Sequence, residues 1–167
     1  MTILVLLLVI ATGGHARAES APPSERQVVF VKAYVAAMQS KNSAAVMKLL
    51  HRTVRACVND KTRAFYKSIL SQQFEFFPSW KYKRILVTPV GAKSSLILWS
   101  YVPEKSFPYP VRPTHDLKVD FGAGPDGSLG SDVIEVAQSG AEWYWVTACP
   151  TAEGMKFMRA EQLKAGH

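Results

Sequence analysis

The chain has 167 residues, with 20 Lys and Arg against 13 Asp and Glu, for a formal charge of +7. At 48% hydrophobic and 11% aromatic residues it is a globular chain, not a disordered one. Its length suits one domain that buries a real core without needing a covalent tie merely to fold.

The N-terminus reads "MTILVLLLVIATGGHARAES", in which Ile3 to Ala11 is an unbroken apolar run of nine residues. That is far short of the ~20 needed to span a bilayer. Ala16-Arg17-Ala18 is an A-x-A cleavage pattern. Residues 1–18 are therefore expected to be a secretory signal peptide cut after Ala18, which makes the protein periplasmic or secreted. No Lys or Arg precedes the apolar run, and a retained N-terminal anchor is the alternative. The single domain is expected over 19–150, with 151–167 as a terminal helix or tail.

Helices come first. Ser24 and Gln27 have capping-box spacing, and Val28, Val31, Val35 and Met38 recur at three- and four-residue steps, which predicts an amphipathic helix. A second helix is expected in "KNSAAVMKLLHR", capped by Asn42 or Ser43, with Val46, Leu49 and Leu50 facing inward. A third is expected in "NDKTRAFYKSILSQQF", capped by Asn59 or Asp60, with Phe65, Ile69 and Leu70 inside.

After Pro78 the apolar period changes to two. "WKYKRILVT", "SLILWSYV" and "DLKVDFG" read as strands, and in the last of these Leu117, Val119 and Phe121 share a face. "SDVIEVAQS" and "EWYWVTAC" flank Ser139-Gly140 and read as a hairpin. Helices followed by mostly antiparallel strands predict an α+β domain.

The two cysteines follow from the compartment. In an oxidising environment two thiols in one small domain usually pair. Cys57 follows the second helical segment, and Cys149 closes the last strand between Ala148 and Pro150. Nothing beside Cys149 would activate a nucleophile. A Cys57–Cys149 disulfide is expected, ahead of two free buried thiols.

In layout, "AYVAAMQSKNSAAVMKLL" resembles the opening of the nuclear-transport-factor-2-like (NTF2-like) superfamily: a long helix, a polar break and a second helix with paired leucines. "VIEVAQSGAEWYWVTAC" resembles its closing hairpin. The resemblance implies three N-terminal helices packed on one curved, mostly antiparallel sheet, with a cone-shaped cavity between them. The departures are the proline-rich stretch Pro103 to Pro113 and the two cysteines. Ketosteroid-isomerase-like members use a Tyr of the first helix, an Asp near the helix junctions and an Asp on the sheet. Tyr34, Asp60 and Asp120 stand at similar places. As a set they would supply a base and an enolate-binding pair for cofactor-free isomerase or hydrolase chemistry. Each also has a plainer reading: Tyr34 in the core, Asp60 as a helix cap, Asp120 facing water.

No His, Cys or carboxylate pairs have metal-ligand spacing, and no phosphate loop or G-x-S-x-G elbow occurs. Neither a metal nor a cofactor is expected. Charge is uneven: residues 26–84 hold twelve Lys and Arg and two acids, whereas 85–167 hold seven and nine. Arg52, Arg55, Lys61, Arg63 and Lys67 cluster near one helix junction. Nucleic acid is not the expected partner of an exported chain. An anionic envelope component or an acidic protein fits better, and a solvated basic face fits as well. Phe107 and Tyr109 place apolar groups on the proline-rich stretch, which is expected to be a pocket lid, a partner-binding arm or only a stiff connection over the sheet edge. Association into a homodimer through the sheet is compatible with the layout. The favoured reading is a non-enzymatic exported domain that binds a small apolar ligand or an envelope partner.

Overall fold

The computed structural model describes residues 20–91 and 107–157. The expected signal segment, the strand "SLILWSYV", Pro103 and the last ten residues lie outside the described residues. The chain is an α+β domain. Its elements are α1 (Glu25–Gln39), α2 (Ser43–Lys48), α3 (Arg52–Arg55), α4 (Arg63–Phe76), β1 (Arg84–Pro89), β2 (His115–Ala123), β3 (Leu129–Ser139) and β4 (Glu142–Trp145). A fifth helix, α5, occupies 152–157.

The α1 capping box forms as expected. Gln27 N–H donates to Ser24 Oγ at 3.3 Å, and Ser24 N–H donates to Gln27 Oε1 at 2.8 Å. These bonds satisfy donors that the first turn leaves orphaned. Phe30, Val31, Tyr34, Val35 and Met38 form the buried stripe. Lys41 ends the helical run with φ 52°, and Asn42 then caps α2 by accepting from Ala45 N–H at 3.0 Å.

The second helical segment is broken where one continuous helix was expected. Leu50 forms a parallel bridge with Trp145. Trp145 N–H donates to Leu49 O at 2.8 Å, and His51 N–H donates to Trp145 O at 2.9 Å. These backbone groups bond the sheet, so they cannot continue the helix. His51 then caps α3 through Nδ1, which accepts from Thr53 N–H at 3.2 Å. It thus stands at a helix N-terminus, not at the C-terminus that the sequence suggested.

The four strands form an antiparallel meander in the order β1-β2-β3-β4. Register follows the apolar alternation: Leu117 lies opposite Val87 and Ile134, and Val119 opposite Ile85 and Asp132. That face carries the core against α1, with Val31, Leu50, Leu117, Val119, Phe121 and Val136 fully enclosed. Each such side chain contributes roughly 1.5–3 kcal/mol by leaving water. The β3–β4 hairpin closes with Ser139 opposite Glu142. Gly140, with φ 63°, takes the first central position, where a side chain would be strained.

The chain leaves the sheet just beyond β4. Val146 N–H donates to Glu135 O at 3.0 Å, continuing the β3–β4 ladder one step past the four register pairs Val136 to Ser139. The chain then turns to the helical layer, where Cys149 bonds Cys57 with Cα atoms 5.8 Å apart and a sequence separation of 92. Tyr66 OH donates to Ala148 O at 3.1 Å, and Cys149 N–H donates to Pro108 O at 2.9 Å. The expected pairing of the cysteines is present, although the strand itself ends at Trp145. No described helix is long and apolar enough to cross a membrane.

A Cys57→Ser/Cys149→Ser variant should lose about 2–5 kcal/mol of stability, the usual cost of removing a native bridge that closes a long loop. Urea unfolding of the two forms measures it. An unchanged midpoint would show that the bridge adds nothing to the folded state.

Candidate functional site

Where β3 and the chain beyond β4 part, a cavity of about 180 Å³ opens. Phe65, Tyr66, Ile69, Leu70 and Gln73 of α4 form one wall. Val133 and Glu135 of β3 form the second, Trp145 to Ala148 the third, and Phe107 with Tyr109 the fourth. The local causes are readable. Phe65, Tyr66, Ile69 and Gln73 fall on one side of α4 by their three- and four-residue spacing. Val133 and Glu135 share a face of β3 by strand alternation.

Phe107 is 1% exposed. Its ring lies 5.7 Å from that of Phe65, which in turn meets Tyr66 edge-on at 5.4 Å. The proline-rich stretch therefore does not present Phe107 to a partner; it folds that ring inward as part of the cavity wall. Tyr109 is half-buried, and its hydroxyl donates to Glu135 Oε2. Burial, then the Glu135 bond, raise the Tyr109 phenol well above its ordinary value, with the Asp116 charge adding to the effect. Burial pushes the Tyr66 phenol up to about 12.

Two carboxylates meet on this side of the sheet. Asp116 of β2 lies directly opposite Glu135 of β3, a placement that brings Cβ atoms within roughly 4.5–5.5 Å. Glu135 is buried, and Asp116 Oδ1 is inaccessible and has no hydrogen-bond partner. Burial raises the Asp116 carboxyl, while His115 beside it pulls the other way.

On the α1 side, a more open depression of about 310 Å³ lies beside Gln73, Phe77 and Asp132. Here Tyr34 and the Asp132 carboxylate act on each other electrostatically, and Asp132 Oδ2 is left inaccessible and unpartnered. Burial raises Asp132, with Tyr34 opposing, and burial raises Tyr34 further above its ordinary range.

Of the three residues considered for catalysis, only Tyr34 is inside. Asp60 has a 98% exposed side chain and pairs with Arg63 at 3.2 Å. Asp120 pairs with Arg84 at 2.8 Å and accepts from Gly122 N–H at 2.9 Å. The Gly122 bond first, and then Arg84, hold its carboxyl below the usual range. The structure does not bring Tyr34, Asp60 and Asp120 together. Asp60 does not cap α4 either, since that position is taken by Thr62.

Arg52, Arg55, Lys61, Arg63 and Lys67 are all exposed, and none of them lines the cavity. Arg55 is already committed: its Nη2 donates to Lys48 O at 2.6 Å and Leu50 O at 3.1 Å, satisfying carbonyls at the end of α2. Sequence reasoning missed Glu135, Asp116 and Asp132. Glu135 carried a signal, because it interrupts the apolar run "VIEVA" with apolar neighbours on both sides.

Asp132 yields a pH prediction. A carboxyl raised in the folded state holds its proton longer than the unfolded chain does, so stability falls as pH rises from the ordinary value of 3.8 through the raised one. Asp132→Asn keeps the shape of the side chain without the buried charge. It should be more stable than the parent at pH 7 and should flatten that decline, as read by urea midpoints from pH 3 to 8. A less stable variant at pH 7 would show that the charged form is favoured.

No group of three or more His, Cys, Asp or Glu among the described residues could hold a metal ion. No family model, no curated protein and no solved structure matches this chain.

Proposed function

We propose that the protein is an exported small-molecule-binding domain that holds its ligand without transforming it. The carrying observation is the partly open cavity with five aromatic residues in its wall: Phe65, Tyr66, Phe107, Tyr109 and Trp145. Binding sites are concave, mostly apolar and supplied with a few fixed polar groups, and this one has Glu135, Tyr109, Gln73 and Thr147. Its size suits one ring or a short branched chain, since an enclosed apolar cavity of ~150 Å³ accommodates benzene. Within an NTF2-like layout the cavity would be the space between α4 and the face of β3 that bears Val133 and Glu135, not the face packed on α1. Export fits the binding reading: the N-terminal apolar run with its A-x-A pattern and the Cys57–Cys149 bridge both suit an oxidising compartment.

The isomerase-like alternative loses its motivation, because Asp60 and Asp120 point into solvent-side ion pairs. Contact with an anionic envelope component would use Arg52, Lys61 and Lys67, and would leave the cavity unexplained.

The test is native mass spectrometry of protein purified from cells that export it. The expected result is a small molecule released only on denaturation. In an Ile69→Trp variant, which fills the cavity from α4, that mass should disappear while the fold survives by circular dichroism. Bare parent protein at every ligand concentration tried would remove the binding reading.

A further inference from the structure

We infer that two copies of this chain associate through the open edge of β3, pairing Leu129 to Val133 of one copy antiparallel with the same residues of the other. Three observations carry it, and none of them depends on the binding reading above.

The first is the backbone. Val146 N–H donates to Glu135 O, so the main-chain groups of Glu135 point toward the β4 side of the strand. Thr114 N–H donates to Val136 O, so those of Val136 point the other way. Alternation along a strand turns Leu129, Ser131 and Val133 to the same side as Glu135. The register shift between β2 and β3 falls between Asp120 and Gly122. The extra residue is therefore on β2, and the alternation of β3 runs on unbroken. The register pairs of β4 end at Val136. Among the described residues no strand lies beside the outward N–H and C=O groups of Leu129, Ser131 and Val133, and a row of such groups is a template for another strand.

The second is what stands on that edge. Leu129 is 85% exposed, Phe76 84% and Val133 40%, and among the described residues Val29 of α1 is the one other exposed large apolar side chain. Phe76 lines the same depression as Ser131, so three of the four gather at one edge. Apolar groups exposed together mark contact surfaces. Natural edge strands are often guarded by Lys or Pro, but in a chain with 20 Lys and Arg the positions 129, 131 and 133 hold Leu, Ser and Val. Two chains of +7 repel each other, and an uncharged edge is where they can approach.

The third is self-complementarity, which selects a second copy over an unrelated strand. A two-fold axis through Ser131 sets Leu129 opposite Val133 of the other copy, Ser131 opposite Ser131, and Val133 opposite Leu129. Every pair joins outward-facing backbone on both chains, and each apolar side chain meets an apolar one on the same face. Val133 belongs to the cavity wall, so the second copy contributes its Leu129 to the rim of that cavity. A five-residue pairing is smaller than the ~800 Å² per partner of standard interfaces, so the dimer dissociates on dilution through the micromolar range.

Sedimentation equilibrium of the disulfide-bonded protein from about 1 to about 300 µM tests this. The weight-average mass is expected to rise from one copy toward two. Leu129→Lys, an exposed position that the fold does not need, should weaken association by about tenfold or more, and Val29→Lys should leave it within about twofold. Cross-linking reads the register. Opposed residues of an antiparallel pair have Cα atoms about 5.5 Å apart, within disulfide reach, so Ser131→Cys should give a covalent dimer on mild oxidation. Leu129→Cys should not, because the two Leu129 positions lie roughly 13 Å apart along the ladder, but it should cross-link to Val133→Cys in a mixture. A parent that keeps the mass of one copy at every concentration would overturn the inference, as would association that Leu129→Lys leaves unchanged. A dimer in which Leu129→Cys cross-links to itself as readily as Ser131→Cys would overturn it too.

Discussion

Everything distinctive in this fold depends on the few residues after Trp145. Val146 still donates to Glu135 O, but Ala148 and Cys149 bond the helical layer and the proline-rich stretch. A strand that continued along β3 would have filled the gap with ladder hydrogen bonds. By leaving, it opens a space whose lining must be furnished by side chains from elsewhere. Tyr66, Phe107 and Tyr109 supply it. The Cys57–Cys149 bond holds the departure in place, because it fixes the end of the strand to the turn after α3.

The same departure explains the polar groups nearby. Beyond the hairpin, β3 residues Leu129 to Ser131 and Val133 have β2 as their only paired neighbour among the described residues. Among the described residues, Glu135 faces α4 and the stretch at 107–109 across the cavity. Burying a carboxylate is costly unless it is bonded, and the Tyr109 hydroxyl meets part of that cost for Glu135. Asp116 and Asp132 each keep one oxygen without a protein donor, so the domain tolerates polar strain on both sides of its sheet. Such buried polar groups are where stability is given up for function in many folds.

Much of the scaffold was legible in the sequence, and the site was not. The Ser24–Gln27 box, the Val31–Val35–Met38 stripe and the alternation of Leu117, Val119 and Phe121 are local signals, and local physics decides them. The Cys57–Cys149 pairing was legible because the chain offers only two cysteines behind an expected export signal. The break at Leu49 to His51 was hidden, since its cause is Trp145, far away in sequence. Phe107 looked like an exposed group among prolines because nothing local reports that Phe65 waits to cover it. The meeting of Asp116 and Glu135 is a matter of strand register, and single residues in alternating strands read as solvent-facing until the register is known.

The walls of the cavity come from α4, the stretch at 107–109, β3 and the chain beyond β4. No two of these pieces adjoin in sequence, apart from the hairpin that joins the last two. No partly folded form can therefore present the cavity, and whatever occupies it binds the native state alone. By mass action such an occupant draws the folding equilibrium toward the native side, by roughly 2.7 kcal/mol at a hundred times its dissociation constant. An occupant would thus become a component of the protein's stability, and the resistance of the domain to unfolding would report how much of it is bound.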